Sequence, residues 1–287
     1  MPRLLLLLAT VAIFAGRGYG YLFFDAPLRV LLWDEALMTP FVERVFGMTW
    51  QDYAGNLRIT AGFQTAIKTI GTYYMVCAGL AVAFYLRGWR WLRWPLLFGA
   101  LLLLGHAFLE AKDRFYHLAQ FFEFGIQVGT PVLFVGALAG WWGEARLLSL
   151  AKVLIAVTFS AHGLYALGVY PVPAHFVDMS IRGLGMSEAV ARRFLTVAGV
   201  LDLVLAVAIF VPRLARPALV YATFWGFTTA AARVWVGFSI DYPGASLHQL
   251  AYATVFRLGH GLLPLFAWWV ERGRGHGCGR DGGEQGD

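Results

Sequence analysis

The sequence predicts an all-α integral membrane protein with eight transmembrane helices, arranged as two parallel four-helix repeats with short external amphipathic helices. Three observations carry this. Hydrophobic residues make up 59% of the chain and charged residues only 14%, whereas about a quarter are charged in a soluble domain. The charges gather between apolar runs of about 20 residues, the length needed to cross roughly 30 Å of hydrocarbon. Finally, short segments of the first half recur in the same order in the second.

Hydropathy places the spans at 4–24, 57–85, 94–111, 118–140, 147–169, 194–212, 217–238 and 249–270. The first begins like a signal peptide, with Arg3 ahead of a leucine-rich core. No small-x-small cleavage site precedes its tyrosines, and the repeat requires the segment. Residues 25–56 follow, with apolar positions at helical spacing and too many carboxylates to cross easily; their counterpart holds Tyr170, Pro171, Pro173, His175 and Asp178. Both are expected to form short helices that cap the outer surface. The second span is long enough to tilt. The third and seventh open near Pro95 and Pro217, where a missing amide donor costs least. Residues 1–146 and 147–270 form the two repeats, and 271–287, glycine-rich without an apolar face, read as a disordered cytoplasmic tail. Cys77 and Cys278 indicate neither a disulfide framework nor a thiolate metal site.

The duplication rests on five matches. "FAGRG" at Phe14 corresponds to "FSAHG" at Phe159, the segment from Pro40 to that from His175, and "TAGF" at Thr60 to "TVAGV" at Thr196. The proline-opened spans and then "GTPVLF" at Gly129 with "GLLPLF" at Gly261 complete the series. An even number of spans per copy relates the halves by an axis along the membrane normal. Arg87, Arg90, Arg93, Arg146, Arg213, Arg216, Arg272 and Arg274 fall on one side. They mark it as cytoplasmic, with both termini inside, in what reads as a bacterial inner membrane. The net charge of +6 therefore concerns orientation, and no nucleic-acid partner is expected.

Ionisable groups within spans are costly and turn toward a bundle interior, a cavity or a partner. Arg17 and His162 are equivalent residues late in outward-running spans. His106 and Glu110 are four apart and share a helix face. Gln120, Glu123, Gln127 and Pro131 form one inward stripe of the fourth span. The matching stretch of the eighth holds Tyr252, Phe256, Arg257 and His260, so that Gln127 corresponds to His260, and Glu123 and Arg257 are placed to pair across the axis. Gln64, Lys68 and Asp202 are further candidates, with Asp202 near the position matching Gln64, while Arg58, Arg193 and Arg233 sit toward the outer ends. His106, Glu110, Glu123, His162 and His260 are the candidate catalytic, proton-exchanging groups. Arg17, Gln127, Tyr252 and Arg257 are the candidate cofactor-binding groups. The alternative is a structural network that only offsets its own burial cost.

Phosphate-loop, zinc-protease, C-x-x-C and nucleophile-elbow motifs are all missing from the sequence. A metal site of His106, His162 and His260 with Glu110 requires distant spans to converge, and no metal is assigned. A bis-histidine haem would draw on His106, His162 or His260. A quinone or a lipid fits an apolar pocket with a polar end. The polar residues concentrate toward the outer half, which predicts an outward-facing pocket rather than a continuous route. A quinone- or lipid-linked redox enzyme, a transporter of a small polar or anionic solute, and a noncatalytic assembly factor all remain open. Membrane lipid, an amphipathic small molecule and a membrane protein are the expected partners. The four-span unit is broadly similar to small bacterial quinone-linked membrane proteins of the DoxX type. No stretch matches a motif of theirs residue by residue, so no residue roles follow from the similarity.

Overall fold

The computed structural model describes residues 1–277, the last three as backbone only. Every regular element among them is helical. A long α1 (Pro2–Phe23) is followed by the short α2 (Leu28–Leu32), α3 (Glu35–Phe46) and α4 (Trp50–Ala54), then α5 (Leu57–Arg87). A 3-10 turn leads into α6 (Arg93–Asp113), and then come α7 (Leu118–Phe122), α8 (Gly125–Leu138) and α9 (Glu144–Ala166). The chain continues with α10 (Ala174–Leu184), α11 (Glu188–Ala208), α12 (Ala215–Gly237), α13 (Pro243–Arg257) and α14 (Gly259–Gly277).

Six helical stretches are long and apolar enough to cross a membrane: α1, α5, α6 with its preceding turn, α7–α8, α9 and α13–α14. This is compatible with an integral membrane protein. The sixth and seventh expected spans form as α11 and α12 but are not among those six. Glu188, Arg192, Arg193 and Asp202 dilute the apolar content of α11, and Arg216 and Arg233 that of α12.

Local sequence sets the external helices. The Asp34 carboxylate accepts the Leu37 amide at the start of α3, Thr49 accepts from Asp52 at α4, and Asn56 accepts from Arg58 and Ile59 at α5. Such caps satisfy amides that have no partner within the helix. Lys112 at the end of α6 pairs with Asp34 and also donates to the Val30 carbonyl at 3.2 Å. The hydrogen bond from Lys112 to the Asp34 carboxylate, with that from the Leu37 amide, holds the carboxyl below the usual carboxylate range. A lowered carboxyl stabilises the folded state above its unfolded pKa and loses that contribution as pH falls through the folded value. Lys68 is exposed on α5.

α1 and α9 lie at the centre with α8 and α14. α1 packs along α5 and also on α8, α13 and α14; α9 packs along α11 and on α7, α8 and α14. α6 flanks α7 and α8, and α12 flanks α13 and α14. Two helix pairs touch through glycine. A Cβ on Gly18 would stand 2.9 Å from the Gly71 carbonyl oxygen, and one on Gly163 2.9 Å from that of Gly199. Only residues without side chains permit so close an approach.

The fourth expected span is not one helix. It breaks between α7 and α8, so the stripe from Gln120 to Pro131 is divided at Glu123 and Phe124. The eighth breaks likewise at Leu258. A broken helix releases amides and carbonyls that need new partners in an apolar interior. Thr158 of α9 supplies one, its hydroxyl accepting the buried Ile126 amide at 3.0 Å. At the other break, His260 Nδ1–H donates to the Arg257 carbonyl at 3.1 Å. Thr158→Val should therefore cost about 1–2 kcal/mol by stranding a buried amide, and Thr158→Ser much less. Thermal unfolding of the detergent-solubilised protein checks this, and equal melting of Thr158→Val and wild type would count against the bond.

The expected tail begins too early at residue 271. α14 runs through Gly277, and Glu271 pairs with Lys152 of α9 at 2.7 Å. Residues 278–287, with Cys278, lie outside the described residues.

Candidate functional site

The polar residues gather where α7–α8 and α13–α14 break. From α1, Arg17 Nε donates to Gln127 Oε1 of α8 at 2.8 Å. Its guanidinium lies 3.9 Å from the centre of the Phe256 ring and 4.9 Å from that of Phe124. Ring faces attract a cation through their quadrupole and so help hold Arg17. From α9, His162 stacks on His260 of α14, with ring centres 5.4 Å apart. His162 Nε2 approaches Glu123 Oε1 at 3.0 Å. An ionised carboxylate only accepts, so the imidazole donates there. Gln120 donates to the other Glu123 oxygen at 3.2 Å.

The expected Glu123–Arg257 pair does not form. Glu123 is engaged by His162 instead, and Arg257 donates to the Ala253 carbonyl of its own helix while lying over Phe256. The helix break turns Glu123 toward α9. Sequence spacing assumed a continuous helix and directed it across the axis.

His106 and Glu110 share a face of α6, as their spacing requires, with 3.7 Å between Nε2 and Oε1. That is too long for a hydrogen bond. Tyr21 reaches His106 Nδ1 at 2.7 Å, while Nε2 is buried without a hydrogen-bond partner among the described residues. Among the described residues, no group of three His, Cys, Asp or Glu side chains could hold a metal ion. The three histidines weighed for that role divide between two networks: His106 binds Tyr21, and His162 stacks on His260.

A cavity of about 500 Å³ opens beside the second network. Glu123, His162, Arg257 and His260 border it, together with Asp202 of α11 and Thr228, Thr229 and Arg233 of α12. Apolar side chains supply most of the remaining wall, including Phe159, Phe176, Met179, Phe194, Trp225 and Trp235. α10 closes one side. α11 and α12, the two flanking walls, pack on α9 and α14 and meet each other over a short stretch only.

No protein-family model, curated protein or solved structure matches the chain. The site must therefore be read from its own chemistry.

The cavity collects four of the sequence candidates, Glu123, His162, Arg257 and His260, and leaves out five. Arg17 and Gln127 bind each other and are not among its lining residues, and His106 and Glu110 face Tyr21 and Arg17. Tyr252 stacks on Tyr19 and Phe24 beneath α1. Among the lining residues that sequence reasoning ranked too low, Asp202 carried the clearest signal, a lone carboxylate in "VLDLVLAV". Arg233 looked like an ordinary outer-end arginine. Met179 and Ser180 gave no signal, because only the fold lays α10 over the cavity.

Proposed function

We propose that the chain crosses the membrane eight times as two four-helix units, and that the cavity of the second unit binds an amphipathic small molecule of the quinone or lipid class. The observation that carries the ligand reading is that cavity, apolar over most of its wall, with Glu123, His162, Asp202, Arg233, Arg257 and His260 among its lining residues. Apolar walls release water from a hydrophobic chain, and a few convergent polar groups orient the head. His162, His260 and Asp202 can exchange protons there, which suits redox or lipid-directed chemistry on the bound head.

The two-unit reading is supported by matching neighbours. α1 packs on α5 as α9 packs on α11, and α6 packs on α8 as α12 packs on α14. Arg17 meets Gln127 where His162 meets His260, and the last helix of each unit breaks. The glycine contacts alter the sequence alignment. With Gly18 equivalent to Gly163, Gly71 is equivalent to Gly199, and Tyr74 rather than Gln64 stands where Asp202 stands. Gln64 instead accepts from Arg29 at 2.9 Å.

Cytoplasmic arginine turns at Arg87, Arg146 and Arg213 belong to the same reading. Labelling a cysteine introduced at Arg213 tests it. Eight spans place that site on the same side as Arg87; crossing by only the six most apolar stretches places it with Asp34. A transport route gains less support. Phe14, Phe134, Ile155 and Phe266 belong to one closely packed apolar core, which also holds the cavity-lining Phe159.

Mass spectrometry and an absorption spectrum of gently solubilised protein test the ligand reading. Wild type should carry a near-stoichiometric amphiphile, and Ala198→Trp, which fills the cavity from its α11 wall, should release it. An empty wild-type protein, or occupancy unchanged by Ala198→Trp, would reject the assignment.

A further inference from the structure

Three arginines, Arg17, Arg233 and Arg257, stand in the interior without an ion pair among the described residues. Arg17 is satisfied in part by Gln127 and two ring faces. The other two border the cavity. Arg233 has no hydrogen-bond partner there, and Arg257 has one 3.4 Å bond to a carbonyl of its own helix. Their like charges act on each other. Glu123 acts on both by charge, but it is one carboxylate for two guanidiniums and its oxygens are engaged by His162 and Gln120, while Asp202 sits against His162 and Trp225. Two desolvated guanidiniums that share one carboxylate and form no direct ion pair with it are costly to bury, and an anion between them lowers that cost.

The wall chemistry says what kind of anion. Phe176, Met179 and Phe194 line the interior of the cavity, and Leu184 and Trp235 carry the apolar wall outward, with exposures of 58% and 78%. Close contact between α10 and α12 at Gly183 and Val236 frames this edge. A free inorganic anion would gain nothing from such a wall, whereas an acyl chain would be drawn along it.

We propose that the cavity takes an anionic phospholipid, its phosphate held between Arg233 and Arg257 and an acyl chain leaving along Leu184 and Trp235. This rests on the reading above that the cavity holds an amphiphile, and narrows it to one class. Guanidinium forks match phosphate oxygens geometrically, and the water-poor surroundings strengthen each charge-assisted bond.

Native mass spectrometry of delipidated protein in a neutral detergent tests the inference, with phosphatidic acid, diacylglycerol of the same chains, and inorganic phosphate as probes. Wild type should retain phosphatidic acid, and the R233Q/R257Q double variant should retain it about tenfold less. The R233K/R257K variant should recover much of the difference, separating charge from packing. Thermal melting restricts the comparison to folded variants. Equal retention of diacylglycerol and phosphatidic acid, unaffected by R233Q/R257Q, would overturn the anionic assignment and leave the amphiphile reading standing. Displacement of the lipid by equimolar inorganic phosphate would overturn the acyl part. Retention of neither amphiphile by wild type would remove both readings together.

Discussion

Gly226→Val is expected to destabilise the protein by more than about 3 kcal/mol, beyond the usual cost of overpacking. An ideal Cβ at this position would stand 2.2 Å from the His260 carbonyl oxygen and 2.4 Å from its carbon. Both are backbone atoms of α14, so no side chain can swing aside. α12 must then part from α14, carrying Arg233 away from Arg257. His260 also supports the α13–α14 break through its bond to Arg257, so ligand retention should fall with stability. Gly79→Val is the control: nothing lies within 4 Å of its Cβ position, and a change below about 0.5 kcal/mol is expected. Thermal unfolding followed by tryptophan fluorescence measures both. If the two variants melt alike, α12 and α14 do not pack as described.

The second large effect concerns Glu123. Glu123→Leu should cost about 3 kcal/mol, because it leaves the His162 donor and the Gln120 amide without their shared acceptor in a desolvated place. Glu123→Gln keeps the shape and one acceptor oxygen and should cost about 1–2 kcal/mol. A double-mutant cycle with His162→Leu should return a coupling of about 1.5–3 kcal/mol, the range for a hydrogen bond to a charged group. The corresponding cycle with Arg257→Met should return much less, since no bond joins Arg257 to Glu123. The opposite ranking would restore the pair that simple helical spacing suggested.

Much of the architecture was legible because it depends on near neighbours in the chain. The apolar runs that became α1, α5, α6 and α9 declare themselves by length alone. His106 and Glu110 meet because residues four apart share a helix face. The external helices follow from caps such as Asp34 and Asn56 and from carboxylates that keep the segment out of hydrocarbon. The fourth span misled for a corresponding reason. From Gln120 to Pro131 every polar residue falls at helical spacing, and nothing within the segment reveals that it breaks. The partner of the freed Ile126 amide is Thr158, on another helix.

By itself, then, the sequence determined the helical class, the membrane-compatible stretches, the external caps and the chemical types in the interior, since each follows from local hydropathy, spacing or capping. Only the tertiary structure decided that Glu123 meets His162 rather than Arg257, that Gly71 rather than Gly62 lies against Gly18, and that Arg233 shares a cavity with Arg257. These depend on where one helix crosses another and on which space the side chains leave unfilled. A cavity is a property of the walls together, and its walls here come from Glu123 at the α7–α8 break and from α9 to α14, separated in the chain by more residues than any local pattern spans.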